Sequence, residues 1–272
     1  MNQVPAPTLA AAPAACDVFI PLHPKDGWVV EHCIRSLHRH LRPRPARIVV
    51  LARELPADLR ARLEALGAEI LDEDRFGELP PRASLPDITC RGIPRSGWYY
   101  QQFLKLEARR HSRTPTYAVV DADTVLLRPL ELVDAQGRYV FDRTAQYHVP
   151  YFDTFEKLLG WRPERQPSFI INYLAFDVAL VDRLLAEIEA QAGGRRWWER
   201  IIDVIDRSEM SAFSEFETYG YWLARHHPQR FVGAARGNRH TKVKYLWLLP
   251  LHRALAGWRS ERTVSYHNHR RW

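Results

Sequence analysis

The patterned part of the chain begins with a nearly unbroken apolar run, Cys16-Asp17-Val18-Phe19-Ile20-Pro21-Leu22, which predicts a first buried strand. Pro24-Lys25-Asp26-Gly27 then supplies turn residues. From Val29 to Leu41 apolar side chains recur at helical spacing (Val29, Val30, Cys33, Ile34, Leu37, Leu41), and Pro43 and Pro45 end the helix. Arg47 to Leu51 reads as a second strand, Leu59 to Leu66 as a helix closed by Gly67, and Ala68 to Leu71 as a third strand. This alternation over about 70 residues is the signature of a parallel sheet with helices on its faces.

Residues 72–97, rich in Pro, Gly and Arg, read as a long loop over one sheet edge. Beyond them the spacing predicts a helix over Trp98 to His111, strands over Thr116 to Val120 and Arg138 to Phe141, and a short helix over Phe152 to Leu159. Ser168 to Phe176 reads as a strand and Val178 to Ala192 as a helix stopped by Gly193-Gly194. Helices over Trp197 to Ile205 and Phe216 to Arg225 and a last strand over Val264 to His267 complete the pattern. The expected fold class is α/β, with a mixed, mostly parallel, Rossmann-like sheet flanked by helices. One domain over 16–272 is expected to follow a flexible Ala/Pro-rich tail over 1–15.

Composition narrows the partners. With Lys+Arg 39 against Asp+Glu 32, the net charge is +7, which points to an anionic partner such as a nucleotide diphosphate or a lipid headgroup. No nucleic-acid recognition motif is present, so nucleic acid is not an expected partner. The three cysteines, Cys16, Cys33 and Cys90, are odd in number and lack C-x-x-C spacing. That argues against a disulfide framework or a zinc site and fits a reducing compartment. The N-terminus MNQVPAPTLAAAPAA has neither a basic n-region nor a continuous apolar h-region, and no apolar run approaches the ~20 residues needed to span a bilayer. A cytoplasmic protein, soluble or peripheral to the inner face of the membrane, is expected.

The sharpest chemical signal is Tyr117-Ala118-Val119-Val120-Asp121-Ala122-Asp123-Thr124. An apolar strand ends in two carboxylates at i and i+2, which share one side of an extended segment. At the carboxyl end of a parallel strand they sit where open α/β sheets bind ligands. Two hard oxygen donors with open positions for phosphate oxygens suit Mg²⁺ or Mn²⁺. The same residues also fit a phosphatase D-x-D-x-T/V motif of the HAD type, with Asp121 as nucleophile. That motif normally lies near the start of its domain, whereas here some 100 residues of βα pattern precede it and no downstream Gly-Asp-x-x-x-Asp follows.

Gln102-Phe103-Leu104-Lys105-Leu106 followed by Asp121-Ala122-Asp123-Thr124-Val125-Leu126-Leu127 resembles the glycogenin-type branch of the GT-A glycosyltransferases. Gly97 to Leu106 also resembles a bacterial group of glycosyltransferase-like proteins; the match is specific over about residues 97–130. The resemblance implies a metal-dependent transfer from a nucleotide-diphosphate sugar to an acceptor such as a cell-surface glycan or glycolipid. It implies Asp123 as a metal ligand, Asp121 as a second ligand or a ribose holder, and Lys105, with Gln102 nearby, facing the donor. The run Ser168 to Asp177 resembles the later strand that carries an Asn near the transferred sugar, here Asn172. A C-terminal His completing the metal site is implied as well, His267 being favoured over His269; the family's following Gly and Lys are absent, and Arg270 or Arg271, which stand there instead, can bind diphosphate.

Two features remain. Ser214 with Glu217 satisfies the S-x-x-E capping box, while Glu215 has no such account. Inversion at the sugar needs a carboxylate base, for which Glu215 and Glu217 are candidates, and retention needs none. Residues 242–258 mix Trp, Leu and cations, which suits either an ordinary docking helix or peripheral contact with a membrane.

Overall fold

The computed structural model describes residues 13, 15–164, 168–256, 258 and 260–267. The first half follows the alternation: β1 (Ala15–Pro21), α1 (Val30–His40), β2 (Arg44–Ala52), α2 (Ala57–Ala65) and β3 (Ala68–Asp72). After two 3-10 turns and a small hairpin, Thr89–Cys90 against Ile93–Pro94, come α3 (Ser96–Glu107), β4 (Thr116–Val120) and β5 (Thr124–Leu126). The second half holds β6 (Tyr139–Asp142), α4 (Val149–Leu159), β7 (Tyr173–Asp177), α5 (Val178–Ala190), α6 (Trp197–Val204) and α7 (Glu215–His226). It ends with β8 (Phe231–Ala234), β9 (Gly237–Lys242), a 3-10 turn over Val243–Leu248, α8 (Leu249–Ala256) and β10 (Glu261–His267). Among the described residues, no helix is long and apolar enough to cross a membrane.

The central sheet runs β7-β4-β1-β2-β3. β4, β1, β2 and β3 are mutually parallel, and β7 joins β4 antiparallel, pairing Tyr173 with Val120. All five residues of β4 are buried, as expected of a strand covered by helices on both faces. The parallel strands are those that the periodicity predicts, and the mixed, mostly parallel sheet is the one that the resemblance implies. A second sheet, ordered β9-β10-β5, is parallel between β9 and β10 and antiparallel between β10 and β5. β6 pairs parallel with β8.

The structure corrects two sequence expectations. The strand expected over Ser168 to Phe176 begins only at Tyr173, because the preceding backbone is engaged elsewhere. Ser168 bridges to Thr144, and the Phe169 N–H donates to Glu217. The segment over 121–123 is not extended but turns, the Thr124 N–H donating to the Asp121 carbonyl at 3.0 Å. The turn hands the chain from β4 in one sheet to β5 in the other. β8 and β9 escape the sequence reading because β8 is only four residues long and half-buried, and β9 is a polar stretch without alternation.

Candidate functional site

The site is built on that turn. β7 runs antiparallel to β4, so its start lies at the carboxyl end of β4, and the Asp121 N–H donates to the Asn172 carbonyl at 2.9 Å. β10 brings the chain's end to the other side of the turn, where the Tyr266 N–H donates to the Asp123 carbonyl at 2.8 Å. α3 crosses nearby with Lys105, and α7 begins there with Glu215.

Eight side chains form one continuous polar chain. Lys105 Nζ lies 2.8 Å from both Glu215 Oε1 and Asp121 Oδ1. Asn172 Nδ2 donates to Asp121 Oδ2 at 3.3 Å, and Asn238 Nδ2 donates to Asn172 Oδ1 at 3.0 Å. Asn238 Nδ2 also lies 3.2 Å from His240 Nε2, His240 Nδ1 lies 2.9 Å from His267 Nε2, and His267 Nδ1 lies 3.0 Å from Asp123 Oδ2. A carboxylate only accepts, so the hydrogen bond to Asp123 requires the proton on His267 Nδ1. The two imidazoles are stacked, 14° apart in plane.

Sequence reasoning named six of the eight: Glu215, Lys105, Asp121, Asn172, His267 and Asp123. It missed Asn238 and His240, which lie on β9, in a Gly-Asn-Arg-His stretch without a motif. It also read Asp26 only as a turn residue. Burial pushes the Asp26 carboxyl up to about 6; Lys25 opposes this, and the charges of Asp123 and Asp121 add to it, so a third carboxylate stands near the pair.

The buried end is electrostatically tight. Burial alone would depress Lys105, but Asp121 and Glu215 more than offset it and hold the ammonium charged above the ordinary lysine range. Its Nζ also sits 4.5 Å from the centre of the Phe216 ring. Burial pushes the Glu215 carboxyl up, and Lys105 opposes that shift. Gln102 accepts from Lys105 at 3.5 Å and donates to the Trp98 carbonyl at 2.9 Å. Glu217 turns away from Lys105: its carboxylate accepts from Ser168 Oγ and from the Phe169 N–H, while Ser214 caps its N–H. Burial raises its carboxyl to about 7. Arg270, Arg271 and His269 lie outside the described residues.

Three cavities meet along this chain. A cavity of about 710 Å³ lies at the carboxyl ends of β1 and β2, lined by His23, Asp26, Arg53, Trp98 and Gln101 among others. Trp98 and Gln101 continue into a pocket of about 170 Å³ over Lys105, Asp121 and Glu215. Ile170 and Ile171 pass on to a third of about 430 Å³, which reaches Arg143, Asn172, Asn238 and His240.

Among the described residues, no group of three or more His, Cys, Asp or Glu side chains is arranged to hold a metal by itself. Asp123 and His267 lie 3.0 Å apart and offer an oxygen and a nitrogen donor once His267 Nδ1 gives up its proton; Asp123 Oδ1 accepts from the Thr124 hydroxyl at 3.4 Å. Two such donors fit part of a divalent ion's coordination sphere, the remaining ligands having to come from outside this pair.

The fold is shared with glycosyltransferases of known structure. The apo structure of WbbM, a bifunctional glycosyltransferase, matches with a TM-score of 0.52 at 14% identity, covering 100% of this chain and 48% of that one. The chain thus spans about half the length of WbbM. Apo mouse xyloside xylosyltransferase 1 matches at TM-score 0.49 and 12% identity over 93% of this chain and 98% of that one. The galactosyltransferase LgtC, in complex with donor and acceptor sugar analogs, matches at 0.47 and 13% over 92% and 86%. No curated protein matches the sequence. A family model described as "Family of unknown function (DUF6492)" matches residues 36–271, and the chain belongs to that family.

Proposed function

We propose that this protein is a glycosyltransferase that moves a sugar from a nucleotide-diphosphate sugar to a glycan or glycolipid acceptor with the help of Mn²⁺ or Mg²⁺. The observation that carries the reading is the unbroken polar chain from Glu215 to Asp123 at the carboxyl end of β4. It adjoins a cavity of about 710 Å³ on one side and one of about 430 Å³ on the other. Ligands of open α/β sheets bind at that end.

In this reading the large cavity takes the nucleoside, the pocket over Lys105 takes the diphosphate-linked sugar, and the cavity beyond Asn172 takes the acceptor. Asp123 and His267 would hold the ion, with Asp121 beside them. The ion would neutralise charge on the departing diphosphate, and an imidazole ligand favours Mn²⁺. Lys105 supplies a fixed positive charge facing the same group. Glu215 anchors Lys105 and Glu217 anchors the 168–169 backbone, so both carboxylates position other groups. Neither stands free as a base for an acceptor hydroxyl. Arg270 would add a cation from the chain's end, and residues 242–258 would bring the protein to a membrane surface. Nothing favours the phosphatase alternative, since Lys105 and Asn172 already hold the Asp121 carboxylate.

The test is donor turnover with UDP-glucose, UDP-galactose and GDP-mannose in the presence of Mn²⁺. Asp123→Ala is expected to lower the Mn²⁺-dependent rate at least a hundredfold while leaving the thermal midpoint near wild type. Full activity in that variant would remove Asp123 from the site.

A further inference from the structure

α8 and the turn before it bury one side and expose the other. Leu249 and Ala256 are buried with Val29, Val125, Val264 and Tyr266 in a small second core. On the opposite side of α8, half a turn away at 3.6 residues per turn, lie Leu251 and Leu255; Trp247, in the 3-10 turn before the helix, and Trp258, just after it, are exposed at its two ends. Their exposures are 50%, 37%, 74% and 92%. Tyr245 is exposed beside Trp247, with Lys244 Nζ 5.0 Å from its ring centre. Trp28, 79% exposed, adjoins the same small core through Val29. Exposed apolar residues scattered singly need no explanation, but a run of large ones along one short segment marks an interaction surface.

The charge around the stripe is predominantly positive. Residues 218–260 hold eight Lys or Arg and no Asp or Glu. Lys242, Lys244 and Arg253 are exposed on this stretch. Arg253 also acts together with Arg35 at His32 and with Arg39 and Arg42 at His40, so α1 extends the basic field. Glu31 and Glu261 are acidic groups nearby; Arg62 and Arg35 engage Glu31, and Arg239 engages Glu261. Indole rings beside Leu side chains, ringed by cations, match the boundary between headgroups and acyl chains.

We propose that the α8 face, led by Trp247, Leu251, Leu255 and Trp258, docks on an anionic lipid bilayer. The face is tied to the candidate site through one residue: His252 Nδ1 lies 2.8 Å from Tyr266 Oη, and the Tyr266 N–H donates to the Asp123 carbonyl. Docking therefore fixes the height of Asp123 above the lipid, which suits an acceptor presented at the membrane. The docking itself does not depend on the transfer chemistry, because vesicle binding is read without any donor.

The experiment is sedimentation of the full chain with vesicles of phosphatidylglycerol and phosphatidylcholine at three to seven, and of phosphatidylcholine alone, in about 0.1 M salt. Wild type is expected to partition onto the anionic vesicles at least tenfold more strongly than onto the neutral ones. Trp247→Ser with Trp258→Ser should weaken that partition at least tenfold, as should Lys244→Glu with Arg253→Glu, with thermal midpoints unchanged. Absent binding, or equal binding to both lipid compositions, would overturn the proposal. So would a wild-type dimer in sedimentation velocity that Trp247→Ser dissolves, since the face would then belong to a second copy.

Discussion

Lys105 shows how a single residue ties stability to the site. Its side chain is 5% exposed and its ammonium answers two carboxylates, one of them, Glu215, only 2% exposed. Removing one partner of a buried ion pair leaves the other uncompensated, which costs about 3–5 kcal/mol. Lys105→Met is expected to lose about that much in urea denaturation at neutral pH. Adding Glu215→Gln should recover part of the loss, because the buried charge goes with it, while Asp121, at 29% exposure, can turn to solvent. A Lys105→Met protein as stable as wild type would mean that the pair contributes nothing net. The sequence placed Lys105 on a helix before the aspartates; that it pairs with Glu215, 110 residues away, is a matter of packing.

At the scale of elements, the stretch leading into β7 decides where Asn172 stands. It is held from α7, whose Glu217 grips Ser168 and Phe169, and from the aromatic rings around Phe169: Phe141 at 5.7 Å, Tyr221 at 5.0 Å and Phe231 at 5.7 Å. Gly220 on α7 makes room for that ring; a Cβ there would lie 2.5 Å from Phe169 Cδ2 and 2.9 Å from Cγ. Alanine gains up to about 1 kcal/mol over glycine in a helix interior, whereas overpacking a closed core costs about 1–3 kcal/mol. Phe169 has rings on several sides and little freedom to yield, so Gly220→Ala is expected to destabilise. Its thermal midpoint should fall below wild type, and donor turnover should fall with it as Asn172 shifts. An unchanged or higher midpoint would show that the ring can move aside.

For the molecule as a whole, the turn over 121–123 joins two sheets within three residues, β4 lying in the central sheet and β5 in the second. The second sheet also receives β10 from the chain's end, pairing Ser265 with Thr124. Its small core, with Val29 from the start of α1 and Val264 from β10, cannot come apart without uncovering that turn. Unfolding is therefore expected to be one cooperative transition, with far-UV circular dichroism and tryptophan fluorescence coinciding in urea. Two separated transitions would show that the second sheet opens independently.

The sequence by itself determined the alternating first half, the buried strand that runs up to Asp121 and six of the eight polar groups now seen in one chain. It could do so because parallel strands buried on both faces read as continuous apolar runs, and because two aspartates at a strand end are a local signal. Only the tertiary structure decided that the backbone turns between those aspartates, that Glu217 holds the 168–169 backbone, and that Asn238 and His240 complete the chain. Asn238 and His240 lie on a half-exposed strand without periodicity, and Asp26 within a turn tripeptide. Their roles come from residues near and far in sequence meeting at one sheet end, and no spacing along the chain records such a meeting.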